Sequence, residues 1–160
     1  MTNDPTREPG RWDALFTLLK QMDSEIEQLY TRRGVEGMRS RFVRPLIRIA
    51  HGGPMTISAL ARSLGSTHSA TSQTVAAMRR AGFVSSAPGA DGRTQVVTLT
   101  PAALALVPLL EAEWRATEAV VAALDDELGG AVSALSADLA AAFERRSMTA
   151  RLDAELDAES

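Results

Sequence analysis

The segment between Thr56 and Thr100 constrains the fold of this chain most, because its residues predict two short helices joined by a turn. Thr56 can cap the first of these helices, and Gly65 lies where a left-handed residue would end it. Thr67 can cap the second helix, which we predict to end at Gly82. Two short helices with a sharp turn between them form a helix-turn-helix.

A β-hairpin is predicted directly after the second helix. Residues 83–87 and 94–99 are short runs that include β-branched side chains, and residues 88–92 between them contain one proline and two glycines. A hairpin in this position forms the wing of a winged helix-turn-helix. We therefore predict a mainly α fold with a small β wing.

Two helices are predicted before this segment. Over residues 12–30 the apolar positions recur at steps of three and four, as one face of a helix requires. A second helix runs from near Phe42 to Ala50 or His51. Pro45 is acceptable in it only within the first turn, where a missing N–H group has no partner to lose.

Two more helices are predicted after the wing. Thr100 and Pro101 are the residue types of a helix cap and of a first helical position. We expect Pro108 to bend the long helix that follows. The last helix is predicted over residues 131–148, with an inner face of Ala, Val, Leu and Phe, and the acidic tail beyond it is expected to fray.

The predicted organisation is one globular unit per protomer with three parts. Residues 1–41 form an N-terminal dimerisation helix, residues 42–100 the winged helix-turn-helix, and residues 101–160 C-terminal dimerisation helices with an acidic tail. Dimerisation is favoured because the outer helices would otherwise expose a large apolar surface. An intramolecular helical hairpin is the alternative.

Composition excludes several classes of site. Without cysteine there is no disulfide and no cysteine-ligated zinc or iron–sulfur centre. His51 and His68 lack further ligands at metal-binding spacing, so we predict no metal and no cofactor, and we interpret His51 as a cap at the end of its helix. Residues 1–10 lack a signal-peptide core, and no stretch is apolar for the roughly 18 residues of a membrane span. We expect a cytoplasmic protein without membrane contact.

Charge is distributed unevenly along the chain. The net charge is -3, but residues 54–100 carry four basic and one acidic side chain, whereas residues 101–160 carry four basic and twelve acidic ones. Because phosphate contacts depend on local charge, the overall acidity does not argue against nucleic acid as a partner. The acidic helices must lie away from any phosphate backbone.

Short polar side chains near the start of the second helix of the helix-turn-helix are the residue types that contact base edges in the DNA major groove. The predicted DNA contacts there are Thr67, His68, Ser69, Ser72 and Gln73. Gln73 can pair with adenine through two hydrogen bonds. A solvated helix face is the alternative for this pattern.

Arginines extend the predicted contact surface. Arg93 in the hairpin can enter a minor groove or touch phosphate, with Asp91 close enough to orient its guanidinium. Arg62, Arg79 and Arg80 are further phosphate candidates. An arginine in a turn directly after a helix-turn-helix favours double-stranded DNA as the partner.

These residues resemble the MarR-type winged-helix transcription regulators over about residues 44–100. The resemblance rests on Gly53-Pro54-Met55-Thr56, Leu60-Ala61, Leu64-Gly65, Ser69 to Ser72, Val75, Met78, Gly82-Phe83-Val84, Asp91-Gly92-Arg93 and Leu99-Thr100. It implies a homodimer with interlocking first and last helices, a recognition helix at 67–80 and a wing at 84–98. It also implies a pseudo-palindromic operator, which many relatives release when a small apolar or phenolic ligand binds.

The wing departs from the family pattern. Many relatives carry a basic pair at its tip, whereas Gly92 precedes Arg93 here, and Ser85-Ser86 stand where basic residues are common. Because the wing has fewer cations, we predict weaker DNA binding, or binding that depends on Arg62, Arg79, Arg80 and the arginines of the helix predicted from near Phe42 to Ala50 or His51.

An apolar effector pocket is a further prediction of low specificity. Its candidate residues are Trp12, Phe16, Met38, Phe42 and Trp114. Packing in the core or at a dimer interface is the commoner role of such side chains. Glu111, Glu113 and Glu118 near Trp114 are interpreted as a solvated helix face.

The sequence thus predicts a DNA-binding transcriptional regulator, acting as a ligand-responsive repressor. A winged-helix protein-interaction module without specific DNA binding is the alternative, since the wing has little charge. A small enzyme is the other rival, but no nucleophile, base and orienting residue come together in the sequence, so we predict neither catalytic residues nor an enzyme.

Overall fold

Seven helices and three short strands make up the computed structural model, which describes residues 4–89 and 94–158. The predicted class, mainly α with a small β wing, is confirmed. The chain divides into two units, Met1–Glu111 and Ala112–Ser160. In neither described range does a helix combine the length and the apolar character needed to cross a lipid bilayer.

The helices of the first unit follow a short 3-10 turn at Pro5–Arg7. They are α1 (Asp13–Arg32), α2 (Ser40–Gly52), α3 (Ile57–Leu64) and α4 (His68–Arg80). The strands are β1 (Met55–Thr56), β2 (Val84–Pro88) and β3 (Gln95–Leu99). Helix α5 (Pro101–Glu127) begins in the first unit and ends in the second, which also contains α6 (Ala131–Arg145) and α7 (Met148–Ala158).

Helices α3 and α4 form the predicted helix-turn-helix. The Thr56 hydroxyl accepts a hydrogen bond from the Ala59 N–H at 3.1 Å and so caps α3. Gly65 ends this helix in the left-handed region, at φ 64° and ψ 31°. The N–H of Ser66 then donates to the Ala61 carbonyl at 3.0 Å, which satisfies an end carbonyl and turns the chain.

The sheet has three antiparallel strands in the order β1-β3-β2. Strands β2 and β3 are the predicted hairpin and pair from Val84 with Leu99 to Pro88 with Gln95. Strand β1 was not predicted, because two residues are too few to show the alternation of a strand. Its Thr56 pairs with Val96, so the hairpin is bonded to the residue that caps α3.

The core of the first unit lies between α2, α3, α4 and the sheet. Its most deeply buried large side chains are Tyr30, Phe42, Val43, Leu46, Leu60, Met78, Val97 and Leu110. The rings of Phe42 and Phe83 meet edge to face, with centroids 6.2 Å apart. Each such side chain stabilises the fold by about 1.5–3 kcal/mol through removal from water, so this cluster fixes how α2 packs beside the wing.

The expectation that Pro45 lies in the first turn of its helix is wrong. Helix α2 begins at Ser40, earlier than predicted, so Pro45 lies inside the helix. Its nitrogen cannot donate to the Arg41 carbonyl, which is the partner that helix geometry would give it. Arg39 occupies the N-cap position and makes no side-chain capping hydrogen bond, so its residue type does not mark the helix start.

The second unit differs from prediction at its end. Residues expected to fray form α7, and the Ser147 hydroxyl accepts a hydrogen bond from the Ala150 N–H at 3.2 Å at its start. The Arg151 guanidinium donates to the Ala142 carbonyl of α6 at 2.9 Å. The tail is therefore ordered by a cap and by arginine contacts with end carbonyls, which apolar periodicity does not reveal.

Asp125 organises the start of α6. Its carboxylate accepts hydrogen bonds from the Val132 N–H at 2.9 Å and from the N–H and hydroxyl of Ser133. The Ser133 hydroxyl bond, followed by the backbone bonds from Val132 and Ser133, lowers the pKa of Asp125 despite some opposing desolvation. A carboxylate therefore satisfies N–H groups that Gly130, at the N-cap, cannot reach with a side chain.

Candidate nucleic-acid interface

The start of α4 is held by its own cap. Thr67 has extended backbone angles, and its hydroxyl accepts a hydrogen bond from the Ala70 N–H at 3.2 Å. His68 and Ser69 follow as the first helical residues, and both are exposed. The cap therefore presents a well-formed helix start with short polar side chains in solvent.

Buried side chains determine which face of α4 points outward. Thr71, Val75 and Met78 are buried against the core of the first unit. The apolar pattern predicts Ala70, Thr74, Val75 and Met78 on the inner face of this helix, and for Ala70 this is wrong, since Ala70 is exposed. Thr71 is buried in its place despite its hydroxyl, whereas Val75 and Met78 are buried as predicted.

The outward face carries the predicted contacts. Ser69 and Gln73 are four residues apart and therefore neighbours on the helix surface, and Gln73 is exposed while Ser72 beside it is half-buried. Arg80 lies seven residues after Gln73, close to two full turns, so it falls on the same face. The structure thus brings a serine, a glutamine and an arginine into one stripe along α4.

Cations surround this stripe. Arg79 and Arg80 are exposed in the last turn of α4, and Arg62 is exposed in the last turn of α3. No acidic residue occurs between 54 and 89, the described part of the helix-turn-helix and first wing strand. The surface is therefore basic although the whole chain is acidic.

The base of the wing is joined to the helix-turn-helix on one side and to α5 on the other. Thr56 and Met55 pair with β3, as described above. Thr100 accepts a hydrogen bond from the Ala103 N–H at 3.2 Å and so caps α5, as predicted. The predicted contacts Asp91 and Arg93 lie outside the described residues.

The predicted effector residues fall into different environments. Met38 and Phe42 are core residues of the first unit, and Phe42 is only 1% exposed. Trp12 at the N-cap of α1 and Phe16 within this helix are exposed, the latter at 54%. Trp114 is half-buried in the second unit. Within the first unit the structure therefore does not gather Trp12 and Phe16 with Met38 and Phe42 into one buried cluster.

Two interpretations of polar residues need correction. The His51 side chain contacts a carboxylate rather than its own helix end, with Nε2 2.6 Å from Oε1 of Glu111 on α5. Glu113 is buried rather than solvated, and the Thr117 hydroxyl donates to it at 2.5 Å. The contact between His51 and Glu111 joins two helices that are far apart in sequence, so the pattern of one helix cannot predict it. Glu113 lies on a face of α5 that was interpreted as solvated.

One feature of the first unit was not predicted as a site. A cleft of about 300 Å³ lies between the start of α2 and the end of α4. Arg39, Arg41 and Arg80 line it, together with Phe42 and the small side chains of Ala77 and Ala81. Arg39 and Arg41 precede the helix that was predicted to begin near Phe42 and were not predicted as contacts, because their proximity to Arg80 depends on how α2 packs against α4.

Comparison with known proteins finds a family match over the segment that contains the helix-turn-helix. Residues 45–94 match the sequence model of the MarR family. Curated proteins gave no match to this sequence.

Solved structures share the fold. A MarR protein from Peptoclostridium difficile superimposes with a TM-score of 0.57 at 19% identity, over 93% of this chain and 97% of that one. S. aureus MepR, solved in complex with DNA, superimposes with a TM-score of 0.62 at 16% identity, over 84% of this chain and 99% of that one. A probable transcriptional regulator from Pseudomonas aeruginosa gives 0.53 at 21% identity, over 78% and 96%. Residues 45–94 thus match the MarR-family model, the chain has the fold of these solved structures, and its resemblance to the MarR-type proteins is confirmed.

Proposed function

We propose that this protein is a transcriptional regulator that binds a pseudo-palindromic DNA operator as a homodimer, with repression as its default action. The observation that carries the proposal is the outward face of α4, where short polar side chains follow a capped helix start. Such a helix end fits the major groove, with side chains at base edges and the helix terminus toward phosphate. The match to the MarR-family model and the solved structure of MepR in complex with DNA support the proposal.

Each residue of the surface has a proposed role. Gln73 reads an adenine, and Ser69 and Ser72 contact base edges with less discrimination. Thr67 and His68 at the helix start contact phosphate, as do Arg62, Arg79 and Arg80. Asp91 and Arg93 of the wing are proposed to contact the adjacent minor groove or its phosphates.

A homodimer is proposed from apolar side chains that the single chain leaves in solvent. Helix α1 buries only Tyr30, and the exposed large apolar residues at its N-cap and along it are Trp12, Leu15, Phe16, Leu18, Leu19 and Met22. Helix α6 has no buried residue among those described, although Val132, Leu135 and Phe143 are exposed on it. A second copy of the chain that covers these side chains would remove a large apolar area from water.

Selection of bound sequences from random DNA by the purified protein tests the proposal. We expect an enriched inverted repeat whose half-sites are spaced by about 10 base pairs, since two recognition helices of a dimer enter successive major grooves. Sedimentation should show a dimer. Enrichment of no sequence would contradict the operator proposal and favour the protein-interaction module.

A substitution at Gln73 tests the assignment of base readout. Gln73→Ala should weaken operator binding by about 1–3 kcal/mol and relax preference at one base pair per half-site. Gln21→Ala is the matched control, because Gln21 is an exposed glutamine on α1 that bonds Glu25. Equal effects of the two substitutions would exclude a base contact by Gln73.

The response to a small apolar or phenolic effector is proposed on the resemblance alone. An effector can change operator affinity only if it binds one spacing of the two reading helices better than the other. The candidate residues remain Trp12, Phe16, Met38, Phe42 and Trp114. The measurement is operator affinity with and without small aromatic compounds.

A further inference from the structure

The cleft between α2 and α4 has a uniform charge. Arg39 lines it from the N-cap of α2 and Arg41 from the first turn of that helix, and Arg80 lines it from the last turn of α4. None of the described residues that line it is acidic. Like charges that lie close together repel each other, and an anion bound among these three arginines would offset such repulsion.

The guanidinium of Arg41 is held in place by an aromatic ring. Its central carbon lies 5.6 Å from the ring centroid of Phe42, within the range of a cation–π contact. Phe42 is itself fixed in the core and meets Phe83 edge to face. Arg41 is therefore restrained before any ligand binds, which reduces the entropy lost on binding.

Arg39 keeps most of its hydrogen-bonding capacity. Its ion pair with Glu27 is a long one, with Nη1 3.9 Å from Oε2, and its side chain is 56% exposed. An exposed pair at this distance contributes little. A guanidinium has five N–H donors in a planar fork, which matches the oxygens of a phosphate.

We propose that this arginine cleft binds a phosphate group, carried either by a small phosphorylated molecule or by the DNA backbone. Its volume is at the lower end of the range for small-molecule sites, so it can admit more than a bare ion. The cleft also borders the outward face of α4, since Ala77 and Arg80 lie four and seven residues after Gln73. The DNA-backbone source rests on the proposed function, whereas the free-molecule source does not.

The first arm of the test uses no DNA. Pyrophosphate and inorganic phosphate are titrated by calorimetry into the full-length protein and into Arg39→Gln and Arg80→Gln. Arg115→Gln is the control with the same loss of charge, because Arg115 is exposed on α5 and does not line the cleft. Loss of one charged hydrogen-bonding partner should weaken binding at least about tenfold in the cleft variants and leave the control unchanged.

The second arm measures the salt dependence of DNA binding for the same four proteins. If the phosphate belongs to DNA, the slope of log affinity against log salt should fall by about one unit in each cleft variant and not in Arg115→Gln. Circular dichroism confirms that the variants are folded, which is expected because all three substituted side chains are exposed.

The outcomes separate the two sources and the two proposals. Cleft-dependent pyrophosphate binding supports a free ligand, and it does so even if the protein binds no DNA. A cleft-dependent salt slope without pyrophosphate binding supports the DNA backbone. The inference is overturned if neither measurement distinguishes Arg39→Gln and Arg80→Gln from Arg115→Gln.

Discussion

Thr100 is bonded to Gly82 across the base of the wing: its hydroxyl donates to the Gly82 carbonyl at 2.9 Å. The same oxygen accepts the N–H of Ala103, so one side chain joins the turn after α4 to the start of α5. Gly82 lies immediately before β2, and Thr100 immediately after β3. The hydroxyl therefore closes the hairpin at the end where it joins the helices.

Thr100→Ala should lower the free energy of unfolding by about 1–2 kcal/mol, because it removes a helix cap and leaves the Gly82 carbonyl without this donor. Thr100→Ser keeps the hydroxyl and should lose much less. Chemical denaturation measures both through the midpoint at constant slope. Equal midpoints for the alanine and serine variants would show that the hydroxyl contributes nothing.

Gly65→Ala should destabilise the protein by about 1 kcal/mol through backbone conformation alone. Gly65 has φ 64°, and no heavy atom of the described residues lies within 4 Å of the Cβ that alanine would add. Gly65→Asn should cost less, since asparagine tolerates the left-handed region better. Thermal unfolding of the two variants gives the order, and a more stable alanine variant would contradict a conformational cause.

Thr71→Val should be neutral or should stabilise the fold by up to about 1 kcal/mol. Thr71 is 2% exposed, and its hydroxyl has no hydrogen-bond partner among the described residues. Valine has nearly the same shape and removes the buried polar group. Thr71→Ser, which keeps the hydroxyl and deletes the methyl group, should instead destabilise. A destabilised valine variant would indicate that the hydroxyl is paired in solution.

Acid should loosen the start of α6 through Asp125. The Ser133 hydroxyl and the backbone N–H groups lower the pKa of Asp125 in the folded protein below its ordinary value of 3.8. The contribution to stability is therefore complete above the unfolded pKa and is lost as the pH falls through the lower, folded pKa.

The amide proton shifts of Val132 and Ser133, followed by NMR from pH 7 downward, test this prediction. They should stay constant above about pH 5 and move together below pH 3.8. Asp125→Asn should abolish that movement, whereas Asp126→Asn should keep it. Movement of the two amides near pH 6 would assign the titration to another group.

Local rules predicted the helix-turn-helix well, because its boundaries are set by single residues. Thr56, Gly65 and Thr67 each act within a few residues of themselves, as caps or as a left-handed end. Features that depend on distant contacts were not predictable. Strand β1 forms because Val96 and Val97 pair with it, and in sequence these residues are separated from β1 by the whole helix-turn-helix.

The candidate DNA-binding surface likewise has one part that the sequence predicts and one part that it does not. The exposed polar face of α4 follows from its period, except that Thr71 is buried in place of Ala70. The arginine cleft does not follow from any local pattern. Arg39 and Arg80 are far apart in sequence, and they line one cavity only because α2 packs against the end of α4.

Thr56 both caps α3 and pairs with the wing strand β3. A hairpin and a helix pair that share this anchor cannot change their mutual angle without breaking either the cap or the strand pairing. The winged helix-turn-helix of each protomer would then contact DNA as a rigid unit, with a fixed angle between the wing and the helices. Tolerance for operators of different groove width would have to come from deformation of the duplex, so that flexible base steps are selected even where no side chain touches them.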